Sequence, residues 1–252
     1  MIIQGDCLEV LKTLEDESID MCLTSPPYDN LRTYGGDWTI DIPNITKELY
    51  RVLKKGGVCV WVVADSVIDG SESGSSFRQA ISFMDNGFRL HDTMIYEKNG
   101  APFPDKTRYS QVWEYMFVFS KGKPKTINLI KDRKNRWAGS SNFGKPSKRL
   151  KNGELKQNEP YIVAEYGTRF NIWKYNTGKG FSTKDKIAFQ HPAIFPDELA
   201  KDHILSWTNE NDIVMDIMAG SGTTLKQAKL LNRKYLGIEI NPDYIKIINE
   251  RL

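Results

Sequence analysis

A glycine-rich turn near the end of the sequence limits the fold more than any other feature. It runs Asp216-Ile217-Met218-Ala219-Gly220-Ser221-Gly222-Thr223-Thr224 and belongs to an apolar run that begins at Ile213. The two glycines allow a tight turn and a close approach of backbone to a ligand, and the helix that follows offers unpaired N–H groups. Strand, glycine turn and helix in this order are typical of nucleotide-like cofactor sites in doubly wound sheets.

The rest of the chain alternates between strand and helix patterns. Strands are predicted at 19–23, 58–63, 88–96, 113–119, 213–217 and 235–240, and helices at 45–53, 75–86, 223–231 and 242–251, with a helical pattern near 199–204. We expect Lys54-Lys55-Gly56-Gly57 to end one helix, and Phe77, Ile81 and Met84 to share one face of the next. The alternation predicts an α/β fold: a Rossmann-like, mostly parallel twisted sheet with helices on both faces.

An acidic residue ends the strand after the glycine turn. Glu239 lies in Gly237-Ile238-Glu239-Ile240-Asn241-Pro242, where a carboxylate can accept both hydroxyls of a ribose. A Walker-type ATP site has poor support because no lysine precedes Thr223, and the G-x-G-x-x-G spacing fails because position 225 is leucine. A solvent-facing charge is the alternative for Glu239, and a cap or turn former is the alternative for Asp216.

A second motif stops the buried strand at 19–23. Thr24-Ser25-Pro26-Pro27-Tyr28 combines a small polar acceptor, a rigid Pro-Pro turn and an aromatic face. These are the features that hold a planar amine and its ring. Because parallel strands end at one edge of a sheet, we expect this turn and the glycine turn to face each other across a crevice.

The two motifs, in this order, resemble the S-adenosylmethionine (AdoMet)-dependent DNA amino-methyltransferases, and specifically the permuted, beta-type branch of this N4-cytosine and N6-adenine family. The resemblance covers nearly the whole chain except a basic segment at 121–186. It implies AdoMet as the cofactor and assigns it the residues Asp6, Phe195, Pro196, Asp216, Ala219, Gly220, Ser221, Gly222, Thr223, Glu239 and Asn241. For Asp6, an N-cap of a helix at 7–14 is an equal alternative.

The catalytic residues would be Ser25, Pro26, Pro27 and Tyr28. An exocyclic base amine is a poor nucleophile because its lone pair is delocalised into the ring. Two acceptors, Ser25 Oγ and the Pro26 carbonyl, could draw its hydrogens out of plane, while Tyr28 stacks on the base. Transfer would then be direct, with neither a metal nor a covalent enzyme intermediate. Tyr34-Gly35-Gly36-Asp37-Trp38 is either a mobile lid or a plain surface loop.

Serine in the first position favours one base. In the resembling family, Ser-Pro-Pro-Tyr is mostly associated with methylation of cytosine at N4, whereas Asp or Asn there usually accompanies N6 of adenine. Adenine methylation of DNA is the alternative. Two further alternatives are an RNA or protein-glutamine methyltransferase and a non-catalytic DNA-binding partner subunit with the same fold.

The overall charge of +3 conceals one strongly basic stretch. Residues 121–186 hold 17 Lys and Arg but only five Asp and Glu, a net charge of +12. Such segregation favours a polyanion-binding surface over an ordinary basic loop. The candidate DNA-contacting residues are Arg133, Lys134, Arg136, Lys148, Arg149 and Lys151. We therefore predict double-stranded DNA as the partner, with the target base flipped out of the helix.

These features divide the chain into three parts. Residues 1–120 would form the catalytic half of the methyltransferase domain, 121–186 the target-recognition insertion and 187–252 the AdoMet-binding half. No apolar run approaches the roughly 20 residues that cross a bilayer, and the first residues lack a secretion signal, so a cytoplasmic location without a membrane partner is expected. The enzyme would belong to, or derive from, a restriction-modification system, with a cognate endonuclease as a candidate partner. The sequence leaves the oligomeric state open.

Overall fold

The computed structural model describes residues 1–27, 40–100, 107–141, 147–157 and 161–252. Helices in these ranges are α1 Cys7–Thr13, α2 Ile42–Val52, α3 Ser75–Asp85, α4 Asp197–Trp207, α5 Thr223–Leu230 and α6 Pro242–Arg251, with a 3₁₀ turn at Lys186–Gln190. Strands are β1 Ile2–Gln4, β2 Ile19–Thr24, β3 Leu53–Val63, β4 Val67–Ile68, β5 Ser71–Glu72, β6 Arg89–Lys98, β7 Trp113–Ser120, β8 Arg133–Lys134, β9 Ser147–Arg149, β10 Leu155–Gln157, β11 Tyr166–Gly167, β12 Ile172–Tyr175, β13 Ile213–Asp216 and β14 Lys234–Glu239.

Eight of these strands form one sheet in the order β1-β14-β13-β2-β3-β7-β6-β12. All neighbours are parallel except that β7 runs antiparallel to both β3 and β6. The predicted mostly parallel α/β sheet is therefore confirmed. Its central strands are buried along their length, as β2 shows, because helices cover both faces.

The two faces of the sheet hold different helices. Cys22 and Phe117 point toward a core that also contains residues of α1, α2 and α3. Side chains alternate along a strand, so Met116 points the other way, where its sulfur lies 3.2 Å from Nε2 of His203 on α4. Helix α5 follows β13 and packs on that strand and on β14. This arrangement leaves the ends of β13, β2 and β14 together at one edge.

Two local predictions were wrong. Helix α2 ends at Val52, and Lys54 lies in β3, because Leu53 already pairs with Ile19 of β2; the Lys54 ammonium lies 2.7 Å from the buried carboxylate of Asp20. Helix α3 leaves Phe77, Ile81 and Met84 exposed and instead buries Ser75, Ser76, Ala80 and Phe83. The ring of Phe83 stacks at 4.1 Å on that of Phe119, and this contact sets the face that α3 turns toward the sheet.

A separate compact unit covers residues 129–170, which is narrower than the predicted insertion at 121–186. Strand β12 lies beyond it and pairs with β6 of the main sheet. Inside the unit, β8 pairs with β11 and β9 pairs with β10, both antiparallel. Among the aromatic residues of the basic segment, Trp137, Tyr161, Tyr166 and Phe170 are exposed, and the buried Trp173 belongs to β12.

In the part of the chain that the structure describes, no helix is both long and apolar enough to span a membrane.

Candidate active site

The proline turn and the glycine turn lie side by side at one edge of the sheet. Strands β2 and β13 are parallel neighbours, with Met21 opposite Val214. Both strands therefore end at the same edge, where the Oγ1 of Thr24 donates a 2.7 Å hydrogen bond to the Oδ1 of Asp216. The bond joins residues 192 positions apart in the sequence. The expected juxtaposition of the two motifs is confirmed.

A second hydroxyl ties helix α5 to the same place. The Oγ1 of Thr224, in the first turn of α5, donates to the carbonyl oxygen of Leu23 at 3.2 Å. Both residues are fully buried. Leu23 precedes the proline turn by one residue and Thr224 closes the glycine-turn motif, so two buried hydrogen bonds hold the two turns in register.

Two glycines give the late turn its shape. Gly220 has φ +51° and Gly222 has φ +78°, in the left-handed region that disfavours a side chain. A Cβ on Gly220 would lie 2.9 Å from Nε2 of His191, and one on Gly222 would lie 3.1 Å from Ile248. The Gly222 amide donates to the Ala219 carbonyl at 2.7 Å and closes the turn. Conformation and space both require glycine here.

His191 is the residue of segment 191–196 that contacts the glycine turn. Its buried ring packs edge-on against Tyr244 of α6, with ring centres 4.4 Å apart. The segment was expected to cover the cofactor through Phe195 and Pro196. Phe195 is half-buried, and Pro196 is buried as the N-cap residue of α4. Their role toward the cofactor stays a prediction, and the sequence interpretation missed His191.

Glu239 holds the glycine turn to the start of α6. Its Oε2 accepts from the Gly220 amide at 2.7 Å, and its Oε1 accepts from the Asn241 amide at 2.9 Å. Asn241 in turn caps α6 by accepting from the Asp243 amide at 2.9 Å. Burial raises the pKa of Glu239, while the amide bonds from Asn241 and Gly220 act in the opposite direction. The side chain is buried, so the solvent-facing alternative is wrong.

Asp216 is a buried carboxylate near a second carboxylate, that of Glu239. Burial raises its pKa to about 6, and the nearby charge of Glu239 adds to the rise. Hydrogen bonds from Thr24 and the Met218 amide act against it. A carboxylate held this far above its ordinary pKa is a typical feature of functional sites.

Asp6 follows β1 at the same edge. The amide of Gly5 donates to the carbonyl oxygen of Glu239 at 3.0 Å, which aligns the ends of β1 and β14. The Oδ1 of Asp6 accepts from the amides of Leu8 and Glu9 at 2.9 and 3.1 Å, so Asp6 caps α1. The capping interpretation is confirmed, and a role toward a cofactor stays a prediction.

The proline turn itself leaves β2 directly after Thr24. Pro26 is buried, and Ser25 and Pro27 are half-buried. Tyr28 and the segment 34–38, for which a lid or a surface loop was expected, lie outside the described residues. The proline turn thus lies beside the glycine turn at the edge of the sheet where β1, β13 and β14 also end, next to Asp6, Asp216 and Glu239.

Comparison with known proteins identifies the family. A family model described as DNA methylase, for N6 and N4 enzymes, matches residues 19–250. This chain belongs to the N6/N4 DNA methylase family. It is similar to the orphan methyltransferase M.BamHII of Bacillus amyloliquefaciens, with 57% identity over 96% of this chain and 91% of that protein.

Solved structures agree on the fold of this DNA methylase. The PvuII DNA methyltransferase (cytosine-N4-specific) aligns with a TM-score of 0.71 and 22% identity, over 100% of this chain and 85% of the other. A putative DNA modification methylase of Thermus thermophilus, complexed with AdoMet, aligns with a TM-score of 0.63 and 23% identity, over 99% and 93% of the two chains.

One residue of the methylase's glycine turn region was not predicted at all. Arg251, in the last turn of α6, has a fully buried side chain that donates to the carbonyl oxygen of Ser221 at 2.5 Å. It also contacts the hydroxyls of Ser221 and Thr223 at 3.1 and 3.2 Å. Its partners lie 28 or more positions away, so no local pattern marks the residue.

Not all cations of the basic segment lie in the unit 129–170. Lys121 pairs with Glu17 at 3.2 Å, and Lys125 pairs with Asp20. Both lysines lie near Gly56, at the amino end of β3, which is the edge of the main sheet opposite the two turns. The six candidate DNA-contacting residues all fall within the unit 129–170.

Within that unit, most candidate cations are exposed. Lys134, Arg136, Lys148, Arg149 and Lys151 are exposed. Arg133 is half-buried, since its Nε donates to the Thr168 carbonyl at 3.0 Å and its guanidinium lies 4.6 Å from the centre of the Phe170 ring. Arg133 therefore supports the β8–β11 pair. Contact with DNA stays a prediction for all six.

Proposed function

We propose that this methylase is a sequence-specific DNA methyltransferase that transfers a methyl group from AdoMet to the N4 amine of cytosine in duplex DNA. The observation that carries the proposal is the hydrogen bond between Thr24 and Asp216. This bond holds the proline turn and the glycine turn at one edge of a parallel sheet, where ligands of such sheets bind, and so supports assigning the amine to the first turn and the cofactor to the second.

The residues at this edge fit AdoMet. The cofactor carries positive charge on its sulfonium and ammonium groups and has a ribose diol, and Asp6, Asp216 and Glu239 supply carboxylates. The left-handed Gly220 and Gly222 leave room for backbone to approach a ligand. When bound, AdoMet supplies an electrophilic methyl group. We assign its binding to the turn 216–223 with Glu239 and Asn241, and to Asp6, Phe195 and Pro196 at the margins. The structural neighbour from Thermus thermophilus was solved with this cofactor.

Catalysis is assigned to the proline turn. Ser25 Oγ and the Pro26 carbonyl accept hydrogen bonds from the two amine hydrogens, which turns the nitrogen lone pair out of the ring plane. With AdoMet bound, the new N–C bond would form as the sulfonium S–C bond breaks, leaving a neutral thioether, and the methylated nitrogen would release one proton to solvent. Pro26 and Pro27 fix the direction of these acceptors because their φ angles are locked. Tyr28 stacks on the base. Such positioning can lower a barrier by roughly 7–11 kcal/mol in favourable cases.

Access to the base requires flipping, at a cost of a few kcal/mol. We assign DNA contact to the hairpin β9–β10, whose residues 147–157 are all exposed. In its register Lys148 lies directly opposite Lys156. Like charges in this position destabilise a hairpin, and a two-stranded hairpin is at best marginally stable. A polyanion removes that repulsion, and a two-stranded ribbon fits the major groove.

The choice of cytosine depends on Ser25, and it is tested by identifying the product. Plasmid lacking other methylation is incubated with the methylase and AdoMet, hydrolysed to nucleosides and analysed by mass spectrometry. We expect N4-methylcytosine. N6-methyladenine as the sole product would replace cytosine by adenine in the proposal, and methylation of RNA in preference to duplex DNA would overturn the DNA assignment.

A further inference from the structure

Arg251 joins three segments around the glycine turn. Besides its bonds to Ser221 and Thr223, its Nε lies 3.1 Å from the Oδ2 of Asp185 and its Nη2 lies 3.3 Å from the Oδ1 of Asp197. The side chain is completely buried. A single guanidinium thus links α6, the glycine turn, and the residues on either side of segment 191–196.

The bond to the Ser221 carbonyl acts on the most constrained part of the turn. Ser221 lies between Gly220 and Gly222, which both have left-handed φ angles. Two glycines give this turn several accessible backbone conformations, because glycine is conformationally permissive. The 2.5 Å bond from Arg251 Nη1 fixes the direction of the Ser221 carbonyl, and with it the path of the turn.

The charges around Arg251 balance. Asp185 also pairs with Lys226 of α5, so two cations face Asp185 and Asp197. Burial alone would raise the pKa of Asp185, but the bonds from Lys226 and Arg251 keep it below its ordinary value. Buried ion networks contribute little net stability after desolvation, so their benefit is expected in a defined geometry.

We propose that Arg251 is a positioning residue for the cofactor: it holds the glycine turn, and ties it to segment 191–196, in the shape that binds AdoMet. The proposal rests on the AdoMet site assigned above. It goes beyond that site because Arg251 itself belongs to neither motif. Segment 191–196 is included because Asp197 follows it directly and His191 packs on Gly220.

The test compares Arg251→Lys with a matched arginine elsewhere. Lysine keeps the charge but lacks the planar fork that serves several acceptors at once. Arg51→Lys is the control, since Arg51 also donates to two carbonyls, those of Leu11 and Leu14 at 2.7 Å, and pairs with Asp16 and Glu48. Arg51 lies at the end of α2, away from both turns. AdoMet affinity is measured by calorimetry, and steady-state kinetics and melting temperature are measured alongside.

For Arg251→Lys we expect the Kd and KM for AdoMet to rise about tenfold, equivalent to about 1.4 kcal/mol of binding free energy, because one ammonium cannot replace the planar fork that serves the Ser221 carbonyl and the two carboxylates at once. The kcat at saturating AdoMet and the KM for DNA should stay close to wild type. Arg51→Lys should lower the melting temperature and leave the AdoMet Kd unchanged. Arg251→Met removes the charge as well and should raise the AdoMet Kd further; if it does not fold, the lysine variant alone decides.

Asp216→Asn distinguishes a failure of the positioning role of Arg251 from a failure of the AdoMet site itself. If it weakens AdoMet binding and Arg251→Lys does not, the positioning role is wrong and the cofactor site stands. If neither variant changes the AdoMet Kd, the cofactor site is wrong and the inference falls with it. A kcat loss for Arg251→Lys at unchanged Kd would also overturn the positioning role.

Discussion

Asp216 is the residue that both halves of the site share. Asp216 ends β13 and begins the glycine turn. Its carboxylate accepts a hydrogen bond from the hydroxyl of Thr24, the first residue of the proline turn. Because Asp216 is buried, its ionised form raises the free energy of the folded state. Because its folded pKa of about 6 exceeds the ordinary 3.8, ionised Asp216 costs folding about 3 kcal/mol at neutral pH, and that cost vanishes below the unfolded pKa.

A bound cation recovers part of this cost, so AdoMet binding should depend on pH. We expect the AdoMet affinity to be nearly constant above pH 7 and to weaken as the pH falls below 6, approaching tenfold per pH unit as Asp216 takes up a proton. Calorimetric titrations between pH 5 and 8 measure this.

Asp216→Asn is the matched variant for that titration, because an amide has nearly the same shape and does not ionise. It should bind AdoMet more weakly at pH 7.5 and lose most of the pH dependence. A wild-type affinity that is flat between pH 5 and 7 would contradict the role given to Asp216.

Residue-scale prediction from sequence succeeded where a residue belongs to a short motif. Asp216 and Glu239 were placed correctly at strand ends because the apolar runs before them are unambiguous. His191 and Arg251 contact the same turn, but their partners are distant in sequence. Such contacts are set by tertiary packing, which local patterns do not contain.

At the scale of elements, the hairpin β9–β10 carries charges that do not stabilise it. It places Lys148 opposite Lys156, and its turn carries Lys151. Binding of the hairpin to DNA phosphates would account for these lysines. The affinity for DNA should then depend steeply on salt concentration.

Replacing Lys148, Lys151 and Lys156 together by Gln should weaken DNA binding and lower the slope of log K against log salt by about 0.9 for each phosphate that the variant no longer neutralises. AdoMet affinity should not change. Lys123→Gln is the control. Lys123 is an exposed cation of the same basic segment, and it lies beside Gly56 at the edge of the main sheet opposite the proline and glycine turns. Normal salt dependence in the triple variant would exclude the hairpin as the DNA-binding element.

Element types were easier to predict than element faces. The bounds of β2 and α6 were predicted almost to the residue, since β2 is a nearly continuous apolar run and α6 starts at a proline, whereas β3 begins five residues before its predicted start. The face of α3 was predicted wrongly, because small residues such as Ser76 and Ala80 can be buried beside one large ring. Periodicity alone does not distinguish which of two apolar faces meets the sheet.

At the scale of the whole molecule, the order of the strands explains why the two motifs form one site. β2 and β13 are far apart in sequence but neighbours in the sheet. A chain with the proline turn first and the glycine turn last therefore brings the two turns together only when β13 pairs with β2. The mostly parallel arrangement was predictable from the alternation of elements, whereas the antiparallel β7 was not.

At this scale, charge marked a basic stretch but set no precise boundary for a compact unit. The lysines at 121 and 125 belong to the basic stretch, yet they pair with acids of the main sheet. The compact unit 129–170 therefore covers only part of the stretch 121–186, and the role of that stretch in target recognition stays a prediction.

The most direct test of one shared site separates cofactor binding from transfer. Ser25→Ala removes one proposed acceptor of the amine hydrogens and leaves Thr24, Asp216 and the glycine turn in place. The AdoMet Kd of this variant is measured together with the transfer of labelled methyl groups to duplex DNA. We predict an AdoMet Kd equal to wild type and a transfer rate lower by about two orders of magnitude, in line with the loss of one oriented polar group at a reacting centre. Wild-type transfer by Ser25→Ala would contradict the account.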